Sequence, residues 1–230
     1  MIKHLALCAL ALSWFAPAQD YLEQVSYIRS ILDSNAITGV PIESITKSSE
    51  GTIEELDLSN KEVSTSFIKT LTPQIGKLAK LKKLKLAGNE LKTLPEEIGN
   101  LSELVELDIS NNNLTSLPST IGNLSSLKKL DLRNNELRTF PPALLELKNV
   151  WYLHLRGNNL TELPGGITKM SGLKELYLKG NRLKSLPLSV VNLKLDYFEI
   201  LENKLCDLPD KIDVWLKKND KQYRDWQKCY

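Results

Sequence analysis

Leu81-Lys-Lys-Leu84-Lys-Leu86-Ala-Gly-Asn89-Glu-Leu91-Lys-Thr-Leu94-Pro95-Glu-Glu-Ile98-Gly-Asn-Leu101 is the stretch that decides the fold. It returns almost position for position from Leu104, Leu127, Val150 and Leu173, and after one deletion from Leu195. A repeat of this length is one structural unit stacked on copies of itself. Leu84-x-Leu86 alternates apolar and polar residues at strand period, over too few residues to be stable alone. Each unit therefore has to share its core with a neighbour. Units stacked in register give a parallel sheet, with the Leu, Ile and Pro of every unit joining one continuous interior. An earlier unit starts at Ile53 and is five residues longer, its surplus lying in Ser64 to Thr70, with Lys61 at the Asn position and Pro73 one place late. It reads as a degenerate terminal repeat. About seven units fill residues 53–217.

Two ladders of single residues run through the array. Asn89, Asn112, Asn135, Asn158, Asn181 and Asn203 fall where the chain turns away from the strand. An Asn amide both donates and accepts, so each can satisfy backbone groups of its own turn and the adjacent one, which assigns this ladder to structure. Pro95, Pro118, Pro141, Pro164, Pro187 and Pro209 sit on the return side, where extended backbone needs no amide donor. The pattern L-x-x-L-x-L-x-x-N-x-L-x-x-L-P-x-x-I-x-x-L resembles the leucine-rich repeat family in its 23-residue form with a Leu-Pro step. The resemblance implies an α/β repeat solenoid, a curved horseshoe with a parallel β-sheet on its concave face. It also implies protein binding on that face.

The ends of such a stack would expose core and need lids. Residues 19–52 are the expected N-terminal cap: Leu22, Val25, Ile28 and Leu32 share one face at helical spacing, and Asp33-Ser-Asn35 is a stop. Ile212, Trp215, Leu216, Tyr223 and Trp226 predict an aromatic-rich C-terminal cap, its final segment covering 218–230. Cys206 follows the repeat's fifth conserved apolar residue. Other units carry Lys92, Thr115, Arg138, Thr161 and Lys184 in that slot, which therefore points to solvent. A free thiol there is a liability on a secreted protein, so a Cys206–Cys229 disulfide tying the C-terminal segment to the last repeat is expected. Secretion is read from residues 1–18: Met1-Ile-Lys3-His4 is a short basic start, Leu5 to Phe15 is apolar apart from Ser13, and Ala16-Pro17-Ala18 is a small-x-small cleavage pattern. That run is shorter than the roughly 20 residues a membrane span requires. It is expected to be a signal peptide.

Side chains pointing out of the sheet line the concave face at positions three, five, seven and eight of each unit. In the early units their signs alternate, Glu55-Lys83-Glu106-Lys129 and Asp57-Lys85-Asp108, which predicts a face neutralised by cross-strand pairing. The later units differ. Tyr152, His154, Arg156, Tyr177, Lys179, Tyr197 and Glu199 converge there, with Arg133 at the edge, and Tyr and Arg are favoured interface anchors. This is the candidate partner-binding site. Trp151, at position two on the flank, is a second, weaker interface signal. The alternative ligand is a cell-wall or host glycan, stacked on Tyr152, Tyr177 and Tyr197.

The remaining chemistry is sparse. With 30 Lys+Arg against 28 Asp+Glu, the net charge of +2 does not point to nucleic acid or an anionic membrane. His154 is the only histidine after residue 18, so no Cys/His metal set and no Ser-His-Asp or Cys-His arrangement can be assembled there. There is no G-x-G-x-x-G and no G-x-x-x-x-G-K-[ST] phosphate loop. No cofactor is expected, and the reading is a secreted, non-catalytic protein-binding module. Sequons at Asn100, Asn113, Asn123 and Asn159 follow from the repeat's own Asn-Leu-Ser/Thr wording.

Overall fold

The computed structural model describes residues 19–60, 66–220 and 227. A helix α1 over residues 19–34 leads into a short helix α2, Ile42–Ile45, and then into a sheet. The strands are β1 Thr46–Ser49, β2 Thr52–Asp57, β3 Lys83–Lys85, β4 Glu106–Asp108, β5 Lys129–Asp131, β6 Tyr152–His154, β7 Glu175–Tyr177 and β8 Tyr197–Glu199. They lie side by side in chain order, and from β2 to β8 every pair is parallel. Register follows the repeat: Leu56, Leu84, Leu107, Leu130, Leu153, Leu176 and Phe198 stand opposite one another and are buried. A helix α3, Asp210–Asn219, closes the far end.

The sheet is not wholly parallel. β1 runs antiparallel to β2 through a tight turn in which Glu50 and Gly51 both have positive φ, 50° and 77°. Two such residues make the mirror-image turn whose twist suits a two-residue hairpin. This edge strand is short and polar, Thr-Lys-Ser-Ser, a composition that discourages pairing with another chain.

On the return side, Pro95, Pro118, Pro141, Pro164 and Pro187 keep extended backbone and each precedes a five-residue 3-10 turn. The proline carbonyl accepts the N–H three residues on, as Pro95 does from Ile98 at 3.1 Å, so the missing proline donor costs nothing there. Successive turns press together closely. A Cβ on Gly99 would lie 2.5 Å from the Thr120 carbonyl oxygen of the next unit. At Pro209 the pattern changes, and the ten-residue α3 replaces the 3-10 turn, crossing residue 217, the expected end of the repeats. Its Ile212, Trp215 and Leu216 are buried, with Trp215 edge-on to Phe198 at 5.0 Å. Tyr223 and Trp226, expected in this cap, lie outside the described residues, as does the segment 1–18.

The asparagines sit 0–6% exposed and connect neighbouring units through main-chain groups. Asn135 is representative: its Oδ1 accepts the Leu114 N–H at 3.0 Å, and its Nδ2 donates to the carbonyls of Ile109 at 3.0 Å and Leu132 at 3.1 Å. Asn89, Asn112, Asn158, Asn181 and Asn203 make the same bridge. At both ends a glutamine takes over. Gln24 of α1 accepts the Ile53 N–H at 2.8 Å, and Gln227 accepts the Leu205 N–H at 3.1 Å while donating to the Ile200 carbonyl at 3.3 Å. Gln24 also shifts the face of α1. Gln24, Ile28, Ile31 and Leu32 turn inward with Val25 half-buried, whereas Leu22, expected in the core, is exposed.

The residue before each ladder asparagine is left-handed: Gly88, Asn111, Asn134, Gly157, Gly180 and Glu202 all have φ between 53° and 73°. Position eight therefore shapes the turn before it can serve as a binding position. Glycine and asparagine tolerate that backbone best. At Gly157 the space is also filled, since a Cβ would collide with Asn134 Oδ1.

Candidate functional site

Position three and position five side chains project from one face of the sheet, so register alone sets their neighbours. Across β2 to β4 the rows are charged. Lys83 Nζ lies 3.0 Å from Glu106, Lys85 Nζ 2.8 Å from Asp57, and Lys47 of β1 reaches Glu55 at 2.7 Å. Burial pushes the Asp57 carboxyl up, but hydrogen bonds from Lys85 and Ser59 outweigh it and hold the group below the usual carboxylate range. The bond to Lys47 likewise lowers Glu55. The alternation stops at Lys129. Instead of pairing with Glu106, its ammonium sits over the Trp151 ring, 5.0 Å from the centroid. Trp151 is half-buried, its edge against Tyr152 at 6.0 Å.

From β6 to β8 the same rows become aromatic. Tyr152 and Tyr177 have ring centroids 5.3 Å apart, and Tyr177 and Tyr197 4.8 Å, forming a stripe across three units. Such ring pairs contribute about 0.5–1.5 kcal/mol beyond burial. Tyr197 is the open end, 48% exposed, while Tyr152 and Tyr177 are half-buried. The Tyr177 hydroxyl donates to Glu175 Oε2 at 2.8 Å. Burial first, and then that hydrogen bond, push the Tyr177 hydroxyl well above the ordinary phenol range. Burial and Asp131 raise Tyr152, and burial and Glu199 raise Tyr197. All three hydroxyls thus stay protonated at neutral pH.

His154 is not on the open face. It is 8% exposed, covered by Tyr177 at 4.6 Å between ring centroids, with its Nδ1 3.0 Å from the Tyr152 hydroxyl and 3.7 Å from Asp131 Oδ2. Its Nε2 is buried with no hydrogen-bond partner among the described residues. The reason is length: an imidazole between two longer tyrosines on adjacent strands is roofed by them. His154 supports the stripe from below rather than forming part of the contact surface. The other expected members differ among themselves. Arg133 reaches back to Asp131, 3.4 Å from Nε, and Lys179 pairs with Glu202 at 3.1 Å. Arg156 is exposed without an ion pair among the described residues, and Glu199 is half-buried at the edge.

Cys206 is half-buried and disulfide-bonded. The expected partner, Cys229, lies outside the described residues. Among the described residues no group of three His, Cys, Asp or Glu side chains is placed to hold a metal ion, and no helix is long and apolar enough to cross a membrane.

Comparison with known proteins agrees with this architecture. A family model described as a leucine-rich repeat region matches residues 55–149. Among solved structures, a leucine-rich repeat protein of Leptospira interrogans is 34% identical over 66% of this chain and 44% of its own, with a TM-score of 0.54. The chain carries a leucine-rich repeat region and has the leucine-rich repeat fold. This repeat protein is also similar to a plant ice-binding protein, at 25% identity over 81% of this chain and 64% of that one, with a TM-score of 0.68. It is similar as well to the leucine-rich repeat ectodomain of the membrane receptor kinase GASSHO1/SCHENGEN3 from Arabidopsis thaliana, solved in complex with CASPARIAN STRIP INTEGRITY FACTOR 2. That match is 27% identical over 66% of this chain and 19% of that one, with a TM-score of 0.57. The chain spans less than two thirds of the length of each of these three. No curated protein sequence matches it.

Proposed function

We propose that this leucine-rich repeat protein is a secreted, non-catalytic binding module that holds a partner protein on the concave face of β6 to β8. The observation that carries the reading is the tyrosine stripe: three rings, one per unit, each in contact with the next, with Tyr197 exposed at its end. Rigid aromatic side chains with a polar tip supply contact area at low entropic cost, which is why they dominate interface anchors. Arg133, Arg156 and Lys179 border the stripe on one side and Glu199 ends it. One similar structure supports the reading by what it holds: the GASSHO1/SCHENGEN3 ectodomain was solved in complex with CASPARIAN STRIP INTEGRITY FACTOR 2. Residues 1–18 are its signal peptide, and Cys206 pairs with Cys229 to fasten the C-terminal segment. Peptide mapping with and without reduction tests that pair.

The binding reading is tested by pull-down from extracellular fluid with the wild-type chain and with Tyr152, Tyr177 and Tyr197 all changed to Ala. Capture of a protein lost in the triple variant is the expected result. A partner that survives all three changes places the site elsewhere, and capture confined to a glycan array reassigns the stripe to carbohydrate.

A further inference from the structure

Position seven changes character one unit before positions three and five, after β5 rather than in β6. It reads Ser59, Ala87 and Ser110 in the early units, then Arg133, Arg156 and Lys179, and Leu201 in the last. The small neutral residues lie beside the self-paired charges, and the cations lie beside the tyrosines. The cations of the β5 to β7 units and the tyrosines of β6 to β8 overlap at adjacent strands and form one surface. With strands about 4.8 Å apart, the three cations span about 10 Å along the edge of the stripe.

The acids on this surface are largely committed. Asp131 takes Arg133, both through the guanidinium at 3.4 Å and by accepting the Arg133 N–H at 3.0 Å. Glu175 takes the Tyr177 hydroxyl, and Glu202 takes Lys179. Arg156, in the middle of the row, is exposed and has no ion pair among the described residues. Its neighbours hold their charges in place while it presents a guanidinium fork to solvent. A planar fork with five donors matches a carboxylate in bidentate fashion. The tyrosines alongside are tilted 31° and 50° to their neighbours, so they present ridges and hydroxyls rather than one flat plate. Ridged aromatic area next to a carboxylate receptor suits an extended polypeptide better than the flat face of a sugar ring.

Building on the tyrosine-stripe reading, we propose that the partner presents an acidic, extended polypeptide segment lying across β5 to β8, with a carboxylate on Arg156 and apolar side chains on Tyr177 and Tyr197. The test uses the full chain and three labelled probes in a fluorescence anisotropy titration: a random Glu/Tyr copolymer, a Lys/Tyr copolymer and polygalacturonate. The Glu/Tyr copolymer is expected to bind the wild type most tightly and to weaken as salt is raised. Arg156→Glu is expected to weaken it at least about tenfold, consistent with reversing a close interfacial charge. Lys92→Glu, an exposed charge reversal in an early unit away from the sheet face, is expected to leave it unchanged, with circular dichroism confirming that both variants are folded. Equal or tighter binding of the Lys/Tyr copolymer, unchanged binding by Arg156→Glu, or polygalacturonate binding as tightly as the Glu/Tyr copolymer would each overturn the proposal. The stripe itself is judged separately: partner capture that is lost with the tyrosines but indifferent to Arg156→Glu removes the acidic segment and leaves the binding face standing.

Discussion

The two halves of the concave face are built on the same backbone and do different things with it. From β2 to β4 the outward rows are acids and bases in register, and they pair with one another: Lys83 with Glu106, Lys85 with Asp57, and Glu55 with Lys47 of the hairpin. From β6 to β8 the same positions carry Tyr152, Tyr177 and Tyr197, which touch ring to ring, the first two roofing His154. The paired half satisfies itself and leaves little for a partner. The aromatic half presents ring area, neutral hydroxyls and Arg156, which has no ion pair among the described residues. A repeat scaffold thus separates stability, carried by the buried leucines and asparagines common to all units, from recognition, carried by positions the core does not use.

That separation can be broken first in the core. Leu107→Ala in the charged half and Leu176→Ala in the aromatic half each remove a fully packed side chain from the same row, and each should cost about 3 kcal/mol in urea unfolding. A markedly smaller loss at Leu176 would mean that the aromatic half is not held by the shared core. The ladder gives the next effect. Asn112→Ala and Asn181→Ala leave the N–H of Leu91 and of Leu160 without their acceptor, each costing about 2 kcal/mol, and the two values should agree.

Position eight separates the halves by sterics. Gly88→Ala has to hold φ at 73° with no collision, its Cβ meeting Asn60 Cβ at an ordinary 3.5 Å, at a cost of about 1 kcal/mol by thermal melting. Gly157→Ala adds the collision with Asn134 and should cost more.

The smallest effect belongs to the surface charges. Asp57 titrates below its unfolded value, so the stability it contributes is present above about pH 4 and is lost as the pH falls through its lower folded value. Asp57→Asn should cost less than about 1 kcal/mol at neutral pH and flatten the acid limb of the stability curve. Equal acid sensitivity in wild type and variant would show that the pair contributes nothing.

Much of this was legible in the sequence because a strict 23-residue period fixes register, and register fixes which side chains are neighbours. Glu55, Lys83, Glu106, Lys129, Tyr152, Glu175 and Tyr197 stand in the row the repeat assigns them. What escaped was whatever departs from the period. β1 lies ahead of the repeats, and its signal was the Glu50-Gly51 turn. Gln24 on the inner face of α1 lies outside the apolar spacing of that helix, and only the stacked unit shows the Ile53 N–H it accepts. His154 was assigned to the open face because alternation gives direction but not depth. Its burial depends on the length of the tyrosines beside it.

The most direct test of the account compares two double variants against the protein captured by the wild-type chain, in a single binding titration. Tyr177→Ala with Tyr197→Ala should weaken binding by at least about tenfold, the scale of a lost interface anchor. Lys83→Ala with Lys85→Ala should leave it unchanged. Binding that depends on the lysine pair and ignores the tyrosines would contradict the assignment of recognition to the aromatic half.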